Sequence, residues 1–226
     1  MKKIKLLVLS MIGLFVTSCS SSKSVLEVTS YQLKPTADTS IFNKLDGEVE
    51  SNYTSKQPGF IKRQSGVNEK GEYVVLVYWK TLEDAKASMQ KFMGDSSVAD
   101  FASMIDGSTM KMARYSTKDQ FKANNSQFVE VMSFNTKEGV NREVFDKINK
   151  KVETGFSAKQ KGFLQRITGV NEKGEQVVAV YWDNKSDSDT ALQPFMNNPI
   201  SKEFMGMMDQ SSINMGRYQT LDSLKK

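Results

Sequence analysis

The chain has 226 residues, 38% of them hydrophobic and 25% charged, enough for two small modules or one compact pair. It contains no histidine and one cysteine, which excludes zinc centres built on His and Cys, Ser-His or Cys-His nucleophile pairs and a disulfide framework. The formal charge of +5 falls to +2 without Lys2, Lys3 and Lys5, and the other lysines are interspersed with Glu and Asp, so no concentrated basic face for nucleic acid is expected.

Those three lysines precede an apolar run, Leu6–Val16, then Thr17, Ser18 and Cys19. This is the layout of a secretory signal over 1–18, and the run is too short to span a bilayer. Val16-Thr17-Ser18-Cys19 resembles a bacterial lipobox, which implies cleavage before Cys19 and a membrane partner reached through acyl chains on that residue. Ordinary secretion with an incidental Cys is the plainer alternative. Ser20 after the cysteine points, by enteric-type sorting, to the outer membrane. Residues 19–24 form a short tether.

Residues 25–117 and 128–220 match at a constant offset of 103 without a gap, and 37 of the 93 aligned pairs are identical. Each copy opens on a strand-like segment, Val25–Tyr31 and Phe128–Phe134. One helical face follows, with Phe42, Leu45, Val49 and Tyr53 matched by Phe145, Ile148, Val152 and Phe156. Gly59-Phe60-Ile61 and Gly162-Phe163-Leu164 lead into hairpin turns, Asn68–Gly71 and Asn171–Gly174, and then to the strands Tyr73–Trp79 and Gln176–Trp182. A second helical region carries Met89, Phe92, Met93, Phe101 and Ile105, matched by Leu192, Phe195, Met196, Phe204 and Met208. Thr109–Tyr115 and Ser212–Tyr218 close each unit. Ser116–Gln127 is a polar connector, so the module boundary falls there, with a linker at 118–127 and a tail at 221–226.

The order βαββαβ describes a ferredoxin-like module with helices on one face of its sheet, leaving the other face to be buried. The predicted class is therefore α+β, with two ferredoxin-like repeats packed sheet to sheet as an intrachain barrel. Gln57-Pro58-Gly59-Phe60, Val77-Tyr78-Trp79, Leu82-Glu83-Asp84-Ala85 and Phe101 give the chain a resemblance to the dimeric α+β barrel superfamily, and within it to antibiotic-biosynthesis-monooxygenase-like domains. In relatives two chains usually build the barrel, so the resemblance implies a monomer that is its own pseudo-dimer. Copy two departs from the pattern, with Lys161 in place of Pro58 and a Ser/Asp-rich Asp183–Asp189, which predicts a distorted start to its second helix.

The resemblance also bears on chemistry. Haem-degrading members hold iron through a histidine on the second helix, whereas Met205 and Gly206 lie in that stretch here, so no haem, metal or other cofactor is expected. Some monooxygenases of the family use neither metal nor flavin, relying on an activated aromatic substrate and on Asn, Trp, Tyr and Arg side chains. This chain carries such types in duplicate: Trp79 with Trp182, Arg114 with Arg217, Arg63 with Arg166, Tyr115 with Tyr218, and Asn68 with Asn171. Asn68 sits in a turn, where backbone geometry accounts for it. The thirteen methionines, including Met104, Met112, Met205, Met207, Met208 and Met215, read as packing residues.

Glu27 and Glu130 alternate with apolar neighbours on the first strand, which aims them into the inter-sheet space, where each needs an arginine to offset its desolvation. A buried Glu–Arg pair is the structural reading. The functional one is the polar end of a cavity of a few hundred Å³ between the sheets, with Arg114 and Arg217 orienting an anionic or carbonyl-bearing small aromatic ligand, Trp79 and Trp182 stacking on its ring, and Glu27, Glu130, Tyr115 and Tyr218 completing the lining. Two functions follow: a cell-envelope lipoprotein whose barrel binds a small apolar or aromatic molecule or serves as an interaction module, or a cofactor-independent monooxygenase acting on a quinol-like substrate.

Overall fold

The computed structural model describes residues 24–224; the signal peptide expected over 1–18 and Cys19 lie outside the described residues. The first half contains β1 (Ser24–Leu33), α1 (Thr39–Asn52), β2 (Phe60–Val67), β3 (Glu72–Trp79), α2 (Leu82–Phe92), α3 (Ala99–Ser103) and β4 (Ile105–Thr117). The second contains β5 (Phe128–Phe134), α4 (Arg142–Gly155), β6 (Phe163–Val170), β7 (Gln176–Trp182), α5 (Lys185–Asn197), α6 (Pro199–Gly206) and β8 (Asn214–Thr220), and ends in a short α7 (Leu221–Leu224).

The local chemistry explains these elements. In both hairpins the Asn side chain accepts from two backbone N–H groups, Asn68 from Lys70 and Glu72 and Asn171 from Lys173 and Glu175. Gly71 and Gly174 then take φ of 76° and 86°, the left-handed region that glycine enters without strain. The second helical region of each half is two helices rather than one, because Asp95 and Asn198 cap a fresh turn partway along it. The expected distortion at the start of α5 does not occur. Asn184 caps α5 by accepting from Asp187 N, just as Thr81 caps α2 by accepting from Asp84 N, so a cap of different identity performs the same task.

The sheet of each half runs β4-β1-β3-β2 and β8-β5-β7-β6. The halves join edge to edge, β2 with β8 and β4 with β6, into a closed antiparallel barrel of eight strands. The seams are thin: Gly66 faces Thr220 and Val67 faces Gln219 on one side, and Ser116 faces Val170 on the other. A Cβ on Gly66 would lie 2.9 Å from the Cβ of Tyr218, and one on Gly169 would lie 2.9 Å from the Cβ of Tyr115, so both seams close on a glycine facing a tyrosine.

Leu26, Leu76, Val129, Ile167 and Ala179 fill the barrel together with four tyrosines. Tyr78 and Tyr181, which correspond in the two copies, share a hydrogen bond between their hydroxyls, and contact between a residue and its own counterpart places both on the pseudo-two-fold axis. The connector does more than link the halves. Phe121 packs at 4.8 Å from the Tyr78 ring and 5.6 Å from the Tyr181 ring, Ala123 is buried, and the Gln165 side chain accepts from Lys122 N and Ala123 N. A segment that reads as polar thus packs an aromatic ring against the tyrosine pair at the centre of the barrel.

The outer faces are covered by helices. Phe42 and Phe101 stack with ring centroids 4.8 Å apart against Tyr31 and Tyr73 in the first half, and Phe145 and Phe204 lie 5.7 Å apart against Phe134 in the second. Among the described residues no helix is long and apolar enough to cross a membrane.

Candidate functional site

Strand parity decides where the expected site residues lie. On β1 Leu26 and Val28 pack into the barrel, which turns Val25, Glu27 and Tyr31 outward beneath the helices. Glu27, Glu130, Trp79, Trp182, Arg114 and Arg217 therefore lie on the helix-covered faces and not between the sheets, which corrects the expected orientation of the carboxylates. Only Tyr115 and Tyr218 are inside. Each donates across the pseudo-two-fold, Tyr115 to Glu175 at 3.0 Å and Tyr218 to Glu72 at 3.1 Å, beside a cavity of about 240 Å³ within the barrel. The eight residues thus divide among three places, and no single cavity holds them all.

The outward groups form one row across each half. In the second, strand register places Arg217 beside Glu130, Glu130 beside Val180, and Val180 beside Arg166. In the first, Arg114, Glu27, Val77 and Arg63 repeat the row. Strands about 4.8 Å apart put the ends of the Glu–Val–Arg portion about 10 Å from each other.

Arg114 Nε donates to Glu27 at 2.5 Å and Arg217 Nε to Glu130 at 2.9 Å, so the buried ion pairs expected for these residues are present. Burial raises the pKa of Glu27, opposed by Arg114 and by the neighbouring Trp79 indole, although the indole reaches hydrogen-bond geometry with no acceptor. Around Glu130 the network is larger: Ser188 Oγ donates to it at 2.5 Å, and Arg217 Nη2 reaches Ser188 Oγ at 2.6 Å and Asp189 at 2.7 Å. Hydrogen bonds from Lys185 and Arg217 lower the Asp189 pKa.

Two clefts lie between these rows and the helices, and they differ. In the first half the space is about 90 Å³, for Tyr31 stacks on Tyr73 and the Tyr53 hydroxyl donates to Ser88 O at 2.6 Å. In the second half Phe134, Gln176, Phe156 and Ala191 stand at those four positions, and the cleft opens to about 250 Å³. Its sheet side is Met132, Val178, Val180 and Trp182; its helix side includes Phe156, Leu192, Phe195, Met196, Phe204 and Met205. The Trp182 indole N–H is buried with no partner, and Glu130 is the one carboxylate among the described residues that line the cleft.

Arg63 and Arg166, noted in sequence only as a matched pair, prove distinctive. Each is 3% exposed. Arg63 holds Asp46 through both terminal nitrogens, at 2.5 and 2.9 Å, and Asp46 raises its pKa although burial opposes this. Arg166 donates to the backbone and side-chain oxygens of Asn149 at 3.2 and 2.6 Å, and burial lowers its pKa to about 10. The signal was present in sequence as the Asp46/Asn149 mismatch, 17 residues before each arginine. Among the described residues no cluster of three or more His, Cys, Asp or Glu is placed to hold a metal ion.

The architecture is that of an α+β barrel formed by two ferredoxin-like halves, and solved structures share it. A protein taken to be a monooxygenase from Lactobacillus acidophilus superposes with a TM-score of 0.66 at 14% identity, over 88% of this chain and 95% of that one. An anthrone oxidase-like protein gives 0.64 at 12%, over 88% and 92%. Chlorite dismutase from Candidatus Nitrospira defluvii gives 0.58 at 10%, over 91% and 94%. At these identities the likeness is one of fold. No family model matches the sequence, and no curated protein matches it significantly.

Proposed function

We propose that the cleft of the second half binds a small aromatic molecule and that the chain is a cofactor-independent monooxygenase acting on a quinol-like substrate there. The observation that carries the reading is an apolar space of about 250 Å³ beneath the helices of the second half, where the corresponding space of the first is about 90 Å³. The barrel's likeness to proteins described as monooxygenase and anthrone oxidase-like supports the chemistry. In such a reaction the ring carbon para to the hydroxyl, a CH₂ in the keto tautomer of the substrate, becomes C=O: one oxygen atom of O₂ enters the substrate, the other leaves as water with the two hydrogens, and the substrate supplies the electrons. The Trp182 ring would pack against the substrate, Glu130 would take the proton, and the Phe and Met walls would exclude water.

Oxygen uptake with quinol and anthrone substrates tests this. Trp182→Phe and Arg217→Ala should depress uptake tenfold or more, while Arg114→Ala, beside the narrow cleft, should leave it within twofold. Uptake that is absent, or equally insensitive to all three, removes the enzyme assignment. A second reading, binding without turnover, is favoured by the bonds that Arg217 and Ser188 make to Glu130, which occupy the only carboxylate at the cleft. The Val16–Cys19 segment supports a further proposal: a monomer held at the bacterial cell envelope, in the outer membrane, by lipid on Cys19. Metabolic labelling with a fatty acid, lost in Cys19→Ala, would test it.

A further inference from the structure

We propose that the molecule held by the second cleft carries a carboxylate and that Arg166 anchors it; this rests on the cleft being a ligand site, as argued above. The internal duplication supplies the comparison. Arg63 and Arg166 occupy the same place on β2 and β6, equally buried, yet Arg63 faces the carboxylate of Asp46 and also donates to Ser65 Oγ at 2.8 Å, whereas Arg166 faces the neutral amide of Asn149. Among the described residues no carboxylate lies within ion-pair distance of Arg166. Glu153 and Asp119 act on it only from farther away, and both are engaged, Glu153 with Lys150 at 2.7 Å and Asp119 with Thr168 N at 2.8 Å. The guanidinium lies 5.3 Å from the centre of the Phe204 ring, and both residues line the cleft.

A guanidinium taken out of water without a counter-ion is costly, and its fork of donors matches a carboxylate in particular. The row across the sheet then sets the pose. Glu130, already paired with Arg217, repels an anion at one end, so the carboxylate goes to the Arg166 end and the ring lies over Val180 between them. An engineered cavity of about 150 Å³ accepts benzene, so the larger space here suits a fused two-ring acid.

Isothermal titration of the purified protein with 2-naphthoate and with 2-naphthamide, its uncharged counterpart, tests this at pH 7. The wild-type protein should bind the acid at least tenfold more tightly than the amide. Asn149→Asp, which installs the internal counter-ion found beside Arg63, should bring the two within threefold without weakening the amide. If both probes bind with no preference, or if the preference survives Asn149→Asp, Arg166 is not the anchor although the cleft remains a binding site. If neither probe binds, the cleft reading fails and this inference with it.

Discussion

Asp46→Asn in the first half changes little in shape and removes one charge from a pair almost sealed from water, its side chains 5% and, for Arg63, 3% exposed. The carboxylate accepts from Arg63 at 2.5 and 2.9 Å and from Ser65 Oγ at 2.7 Å. Removing one partner of a buried pair costs about 3–5 kcal/mol, because the remaining charge stays desolvated. Asn retains one oxygen acceptor, as Asn149 does for Arg166, so the cost belongs at the lower end, about 3 kcal/mol. Against a total stability of about 5–15 kcal/mol this is large, and for a domain of this size it lowers Tm by about 6–12 °C. Urea unfolding followed by the fluorescence of buried Trp79 and Trp182 measures it, with an unchanged m-value as the condition for reading the midpoint as stability. Replacing both partners, Asp46→Leu with Arg63→Met, should cost much less than Asp46→Asn alone. A loss below about 1 kcal/mol for Asp46→Asn would refute the view that Asp46 is what offsets burial of the guanidinium.

On the barrel axis, Tyr78→Phe strands the Tyr181 hydroxyl in a site shielded from solvent and should cost about 1–3 kcal/mol by urea unfolding, whereas Tyr78→Phe with Tyr181→Phe should recover most of the loss. Glu27 has a folded pKa above its ordinary 4.5, so the fold favours its protonated form: its contribution is fully present below 4.5 and is lost as pH rises through the raised value. The stability of wild type minus that of Glu27→Gln should accordingly be larger at pH 4 than at pH 7, and the opposite trend would show that Arg114 outweighs desolvation.

Element order, hairpins and the matched pairs are legible in sequence because each follows from local chemistry: Asn and Gly in the turns, apolar spacing of three and four in α1 and α4, β-branched runs in β3 and β7. The face of the sheet to which a residue points is not. Tyr73, Val75, Val77 and Trp79 pack under helices while Val74, Leu76 and Tyr78 pack in the barrel, so every position of β3 reads as apolar and alternation carries no orientation. Glu27 and Glu130 do alternate with apolar residues on β1 and β5, but those neighbours, Leu26, Val28, Val129 and Val131, line the barrel, so the carboxylates face the helices. The break in the second helical region carries its own signal, Gly94-Asp95-Ser96-Ser97 in one copy and Asn197-Asn198-Pro199 in the other, capping and breaking residues that apolar spacing alone passes over. Composition hides the connector's packing role, since Phe121 and Ala123 are two apolar residues in a polar stretch and only the closed barrel shows what they cover.

The two kinds of interior respond differently to duplication. Everything inside the barrel is shared: Tyr78 needs Tyr181, Tyr115 needs Glu175, Tyr218 needs Glu72, and each seam glycine needs the tyrosine of the other copy. A change in one copy is felt at once by the other, and these positions are identical in the two halves. The clefts under the helices are private to each half, bounded by its own sheet and its own helices. Here the copies differ: Tyr31, Tyr53, Tyr73 and Asp46 fill and neutralise the first, and Phe134, Phe156, Gln176 and Asn149 leave the second roomier, its arginine without a direct counter-ion. One half can then serve closure of the barrel while the other keeps space for a ligand. Where a pseudo-symmetric protein breaks its symmetry is thus where a binding site is to be sought, and in this chain that place is the cleft of Trp182 and Arg166.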